Sequence, residues 1–467
     1  MPPEEIDSLA DDVKPLVLAL LGQISGLTAR IDELVAQNKA LLVRIAELEA
    51  EHGKPPKTPD NSSLPPSRGQ KGNVAEPTRV KKTRKGHPGA ARALAENPDA
   101  TRDIYAARCG CGTALAEAGQ ELARAWDHVD LPPIRPITTR INLFRATCPC
   151  CEARVTAKAP ADMPEGSPFG PGIKAAVAYL HGCQMVGFKR LTELCEGLFG
   201  LTISQGAISN MLARMGEPFG AAAEQIAATV RASAVIASDE TSARVKGKTH
   251  WQWAFGCATA VYHVIAPTRG KCVPTDFLAG VRPQVWLSDR LPAQCTHADA
   301  HQFCLAHLIR DAQYAIDHGD TIFAPQFKAF LKDACAVGHR RPDLAAARSQ
   351  RIGAASTADR LLDLKPTDVE GSHLRATIAV TARDKLLVFL TRRDVEATNN
   401  ESERALRLSV IFRRVTNGFR SEWGAKVYAD LCSVVATGRL AGRTALAAIR
   451  HALAAPAPKR TAVPSAR

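Results

Sequence analysis

The stretch AVIASDETSARVKGKTHWQWAFG, Ala234 to Gly256, decides the fold. Ala234–Glu240 is a short apolar run that ends in acids. His250–Gly256 alternates, which puts Trp251, Trp253 and Phe255 on one face of a strand. Lys246-Gly247-Lys248 between them has the composition of a hairpin turn. Outward from this hairpin, Ala260–Pro267 reads as a third strand and TDFLAG (Thr275–Gly280) as part of a helix. Gln284–Asp289 reads as a fourth strand that again ends in an acid.

Three consecutive strands, a crossover helix and a fourth strand describe a ribonuclease-H-like α/β domain. In it, Asp239 ends the first strand and Asp289 the fourth, and those two strands are neighbours. Carboxylates brought together repel unless cations lie between them. Two Mg²⁺ ions about 3.5–4 Å apart can activate an attacking oxygen and stabilise the leaving one in phosphoryl transfer. Mg²⁺ takes hard oxygen ligands and keeps several waters, so three carboxylates suffice. The third is expected on a later helix, in NNESERALR, Asn399–Arg407. A capping box from Asn400 would account for Glu403 by itself. It would not account for Arg404 and Arg407, nor for Arg413 and Arg414 beyond them. Arginines crowded beside an acid suit a site that holds DNA phosphates.

The bulk numbers agree with a polyanionic partner. The chain has 467 residues, room for two or three domains, and 60 Lys+Arg against 47 Asp+Glu give a formal charge of +13. No apolar run reaches the roughly 18 residues of a membrane span. The acidic opening residues are unlike a signal peptide, and thirteen cysteines then read as reduced thiols. The expected location is the cytoplasm, on the nucleoid.

From Ile24, apolar residues recur in steps of three and four. Ile24, Ile31, Asn38 and Ile45 fall at a, and Leu27, Leu34, Leu41 and Leu48 at d. This pattern predicts a two-stranded parallel coiled coil over 13–50, with Asn38 fixing register. Residues 51–95 are a Pro/Gly/Ser-rich linker too polar to build a core. Its basic residues, among them Lys81, Lys82, Arg84 and Lys85, read equally as a solvated tether or as an arm that meets phosphates.

Cys109-Gly110-Cys111 and Cys148-Pro149-Cys150-Cys151 suit a structural zinc ribbon over 100–158, with Cys109, Cys111, Cys148 and Cys151 as ligands. Phe188–Gly216 reads as helix, glycine turn, helix within a helical segment over 170–218. Thr202 or Ser204 would cap its second helix, with Ile203, Ala207, Ile208 and Leu212 inward and Gln205, Ser209 and Asn210 outward. A DNA-reading pair and a plain helical hairpin both fit it. His301-x-x-Cys304-x-x-His307 reads as a helix with buried Cys and His rather than as a metal motif, with His307 near the acids.

With these motifs in hand, the chain resembles the transposases of the insertion-sequence-sixty-six family, the large TnpC-type protein. The matching parts, in order, are the zipper, Asn61-Ser62-Ser63-Leu64-Pro65-Pro66-Ser67, the cysteine pairs with Leu131-Pro132 between them, Asp239-Glu240-Thr241, Ser288-Asp289, Cys304-Leu305-Ala306-His307, and Asn399-Asn400 through Glu403-Arg404-Ala405. The likeness runs from about Leu16 to about Leu453. Two departures stand out: Arg290-Leu291 follows the second aspartate where the family usually has Gly-Tyr, and the first cysteine pair is compressed.

The resemblance implies a DDE triad of Asp239, Asp289 and Glu403 holding two Mg²⁺ or Mn²⁺. Asp299 is the alternative second acid, and Glu401 and Glu422 the alternative third. It implies cleavage and strand transfer at the ends of an insertion sequence, with Arg404 and Arg407 on phosphates. The expected partners are terminal repeats and target DNA, a second copy through the zipper, and small accessory proteins of the same element. The catalytic domain is expected over 230–425 with a helical insertion at about 305–392, then a helical segment over 426–455 and a tail over 456–467. The rivals are a non-enzymatic zipper/zinc DNA-binding regulator, a decayed copy, and a structure-selective nuclease on the same scaffold.

Overall fold

The computed structural model describes residues 13–52, 57, 61, 93–132, 134–166, 168–340 and 344–455. They fall into two compact units, the described residues of Met1–Gln70 with Gly220–Thr444, and those of Lys71–Phe219 with Ala445–Arg467. Among the described residues no helix is long and apolar enough to cross a membrane.

The first unit opens with α1 (Lys14–His52), a single helix of 39 residues built largely from good helix formers. Ile24, Leu27, Ile31, Leu34, Leu41 and Ile45 are all exposed along it. The body of the unit is a mixed five-stranded sheet. Strands β3 (Val235–Val245), β4 (Lys248–Gly256) and β5 (Val261–Ala266) form an antiparallel meander. Helix α6 (Cys272–Leu278) then leads to β6 (Val285–Ser288), which pairs parallel with β3, and β7 (Ala300–Phe303) pairs parallel with β6. The order across the sheet is β5-β4-β3-β6-β7.

Local chemistry explains the hairpin. Val245 pairs with Lys248, which leaves a two-residue loop, and both Lys246 (φ 50°) and Gly247 (φ 76°) are left-handed. Loops of that kind match the right-handed twist of the flanking strands. Trp253 and Phe255 are fully buried, as their alternation requires, and stack toward Phe277 of α6 with Ile236 and Trp286 in the same cluster. Gln252 and Ala254 are buried as well, so this end of β4 is covered on both faces.

Two expectations need correcting. Asp239 does not end the first strand: β3 continues to Val245, and Asp239 pairs with Ala254 of β4. What ends near Asp239 is β6, whose pairing with β3 runs Val235↔Val285, Ile236↔Trp286, Ala237↔Leu287. And His301 is not helical but sits in β7, with Cys304 as the cap between β7 and the next helix.

That helix, α7 (Leu305–His318), begins a helical segment with α8 (Phe323–Arg340), α9 (Leu344–Leu362) and α10 (Val369–Thr377). Its core joins Leu305, Leu308, Phe323, Phe327 and Leu331 to Leu374, Ile378 and Phe389. Asp320 starts α8 by accepting from the N–H groups of Ile322, Phe323 and Ala324. The chain returns in α11 (Asn400–Thr416) and α12 (Glu422–Leu440). Phe412 packs on Phe419 and Tyr428 with ring centroids 5.2 and 4.2 Å apart. The link between these helices is pinned to the β3–β4 tip: Phe419 N–H donates to Arg244 O at 2.8 Å, and Lys246 N–H donates to Phe419 O at 2.9 Å. Gly418 lies there at φ +97°, and a Cβ on it would stand 2.5 Å from Arg244 O.

In the second unit, β1 (Arg145–Thr147) and β2 (Arg154–Thr156) form a short antiparallel hairpin. Helices α2 (Pro171–Ala178), α3 (Phe188–Phe199), α4 (Gln205–Arg214) and α13 (Ala445–Ala454) follow. Gly200 ends α3 in the left-handed conformation, and Ser204 caps α4 by accepting from Ala207 N–H at 3.2 Å. Ile203, Ile208 and Leu212 are buried, Gln205 and Asn210 exposed, and Ala207 and Ser209 half-buried. The helix, turn, helix reading of Phe188–Gly216 therefore holds for the elements themselves.

Candidate active site

Strand β3 carries Asp239 and Glu240, the end of β6 carries Asp289, and the first turn of α11 carries Glu403. Continuing the β3–β6 register sets residue 239 opposite residue 289. Glu403 is delivered by the start of α11. The buried side-chain amide of Asn399 donates to Ser238 O at 2.7 Å, and the Asn399 N–H donates to Cys304 Sγ at 3.2 Å. The helix thus begins against the residue that precedes Asp239.

The capping-box explanation of Glu403 does not survive this geometry. Asn399, not Asn400, is the cap residue, and its side chain makes no cap bond because it is spent on Ser238. Glu403 Oε1 is buried and has no hydrogen-bond partner.

Two of the acids are perturbed by their surroundings. Burial first, then the charges of Glu240, Asp289 and Glu403, push the Asp239 carboxyl well above the usual range. Glu240 is also raised, by burial and by Asp289, against the pull of Arg269 and Gln294. Arg269 reaches Glu240 Oε1 at 2.9 and 2.5 Å and lies 4.8 Å over the Trp251 ring. Gln294 ties the floor together. Its amide donates to Glu240 Oε2 at 2.5 Å and more weakly to Asp289 Oδ1 at 3.4 Å, while Ser238 Oγ donates to its Oε1. Leu291 N–H donates to Asp289 Oδ1 at 2.9 Å. Like charges assembled around hard oxygens, with one buried oxygen lacking a partner, fit a divalent cation such as Mg²⁺.

The alternative acids lie elsewhere. Asp299 precedes β7, at the far end of strands that run parallel to β6, and pairs with Arg282 at 2.8 Å. Glu422 is exposed and pairs with Lys246 at 2.8 Å. Glu401 is exposed on α11. Arg404 and Arg407 are exposed beside Glu403, whereas Arg413 turns to the Ser242 carbonyl and hydroxyl. Lys81, Lys82, Arg84 and Lys85 lie outside the described residues.

Cys109 and Cys111 share one tight turn, closed by Gly112 N–H to Cys109 O at 2.9 Å. Cys148, Cys150 and Cys151 share the β1–β2 turn, closed by Glu152 N–H to Cys148 O at 2.9 Å. Hydrogen bonds from Thr113, then Cys109, lower the Cys111 thiol to about 7, and the backbone N–H groups of Cys151 and Cys150 lower Cys148. The structure does not gather the four into one ligand group: among the described residues the only set of three or more ligating atoms within 4.8 Å of one another is Cys304, His307 and Glu403. The Cys304-x-x-His307 spacing, weighed against a metal motif in the sequence, supplies two of these three; their convergence with Glu403 depends on the return of α11.

A family model described as Transposase IS66 family matches residues 166–427, a span that contains Asp239, Asp289 and Glu403. No curated protein matches the chain.

Proposed function

The chain belongs to the transposase IS66 family, and from that premise we propose that it is a DDE transposase that cuts DNA at the ends of an insertion sequence and joins the freed ends to target DNA. The observation that supports this reading is positional: the β3–β6 register sets residue 239 opposite residue 289, and the Asn399–Ser238 bond starts the helix of Glu403 beside them. The sheet order supports assigning a ribonuclease-H-like catalytic domain with the helical segment inserted before Glu403.

In this reading the three carboxylates hold two Mg²⁺ or Mn²⁺ ions, which when bound activate the attacking oxygen and stabilise the leaving one. The protein's own part is positioning. Gln294 and Leu291 N–H fix the Asp289 carboxylate, the Asn399–Ser238 bond sets the reach of Glu403, and Arg269 neutralises Glu240 beside them. Arg404 and Arg407 meet DNA phosphates near the scissile bond. Water would attack the scissile phosphodiester and break its P–O3′ bond to free the 3′-hydroxyl; that hydroxyl would then attack a target phosphodiester and displace the target strand's 3′-hydroxyl, with no bond to the protein.

Cys109, Cys111, Cys148 and Cys151, carried by two separate turns in the structure, are proposed to close on a structural zinc ion when it binds, and the α3–α4 pair to help grip DNA. The exposed seam of α1 is proposed to pair two copies as a parallel coiled coil, since two ends must be cut together. The protein would act on DNA in the cytoplasm, with accessory proteins of the same element as further partners. A supercoiled-plasmid nicking assay with Mn²⁺ tests the reading. Wild type should nick and Asp239→Ala should not; equal nicking by both would overturn it.

A further inference from the structure

Cys304 and His307, which the reaction above leaves unused, form a second arrangement with Glu403. One atom from each, the sulfur, an imidazole nitrogen and a carboxylate oxygen, lies within 4.8 Å of the others. His307 Nε2 and Glu403 Oε1 stand 3.6 Å apart. A hydrogen bond between them would close to roughly 2.7–3.2 Å. Two ligands of one tetrahedral ion with bonds of about 2.0–2.2 Å stand about 3.4 Å apart. The observed gap is too long for a hydrogen bond and fits two atoms that share a cation. Glu403 Oε1 is buried with no hydrogen-bond partner, as a ligand atom awaiting a cation would be.

The cysteine fits as well. Cys304 caps α7, and its sulfur accepts N–H groups from Asn399, His307 and Ala306, all of which favour a thiolate. A bound metal would hold this sulfur as the thiolate, because a coordinating thiol is deprotonated outright. Sulfur, imidazole and one carboxylate oxygen make a donor set that selects zinc-like ions over Mg²⁺.

We propose that Cys304, His307 and Glu403 bind a thiophilic divalent cation of the zinc type, and that its occupation withholds Glu403 from the Asp239–Asp289 pair. The second half rests on the transposase reading, in which Glu403 is a ligand of the catalytic ions; the first half does not. The carboxylate of Glu403 is then a point of competition between two kinds of metal.

Co²⁺ titration of the full-length chain, followed by its thiolate-to-metal absorption band, tests the site directly. Wild type should bind one more equivalent of Co²⁺ than Cys304→Ser, with a stronger band, and His307→Ala should lose the same increment. The cysteine turns of the second unit contribute equally to all three proteins and cancel. Identical titrations would overturn the site. In the nicking assay, the Zn²⁺ concentration that halves each protein's own Mn²⁺-dependent rate should rise about tenfold or more in Cys304→Ser. An unchanged inhibition curve would overturn the coupling to Glu403. A wild type that never nicks, yet gives a Co²⁺ band dependent on Cys304, would leave the site standing and overturn the transposase reading instead.

Discussion

The side-chain amide of Asn399 donates to the main-chain carbonyl of Ser238 across 2.7 Å, joining residues 161 positions apart. One end of this bond adjoins Asp239 and the other sets the start of the helix that bears Glu403. Asn399→Ala should therefore cost about 1–3 kcal/mol of stability, the range for leaving a buried group unpaired. Nicking should fall further than that loss explains, on the order of a hundredfold, because a misplacement of about 1 Å is enough. Denaturant midpoints and plasmid nicking on the same samples check the two effects separately.

Arg404 and Arg407 are exposed and bond nothing that the fold requires. Replacing both with alanine should leave stability within about 0.5 kcal/mol. The slope of log affinity for DNA against log salt should become shallower by about 2, roughly one counterion for each contact removed. Anisotropy titrations over a salt series read this directly.

The apolar seam of α1 is exposed from Ile24 to Ile45. Leu34→Glu should convert a dimer to a monomer in sedimentation while leaving the near-ultraviolet signature of the α/β unit in place. Asn38→Leu should instead raise the stability of the assembly and loosen its choice of two strands.

His263 is fully buried in β5, and burial lowers its imidazole from 6.5 to about 4. The folded chain holds it neutral, whereas the unfolded chain takes up a proton at the ordinary value. Stability is thus present above pH 6.5 and is lost as the pH falls toward 4, by about 3 kcal/mol at most. His301, lowered to about 4 by burial and then by Lys385 and His297, adds to the same window. His263→Gln should flatten the dependence of the unfolding free energy on pH between 6.5 and 4, measured by urea titration across that range.

The hairpin was legible because two independent local signals agreed: the alternation through Trp253 and Phe255, and a Lys-Gly loop able to adopt left-handed angles. The position of Asp289 after a strand and of Glu403 in a first helical turn was legible, whereas Asp239 lies within β3 and the strand that stops beside it is β6. What escaped depended on distant chain. Asn399 and Asn400 are equally good caps by composition, and only the demand of Ser238 for a donor chooses between them. β7 is four residues long, too short to display a period, and its His301 lies at a spacing that also suits a helix. Gln294 sits in a three-residue turn, and its bonds to Glu240 and Asp289 exist only once that turn folds back under the sheet.

Gly418 gives this last point an evolutionary edge. Any side chain there must displace the Arg244 carbonyl or break the two main-chain bonds that clamp the hairpin tip. A copy of the element with that one codon changed would retain all three acids and still read as an intact gene. On the transposase reading, a loss of activity there would be invisible to a survey of carboxylates, and counting surviving acids would overestimate how many elements can still move.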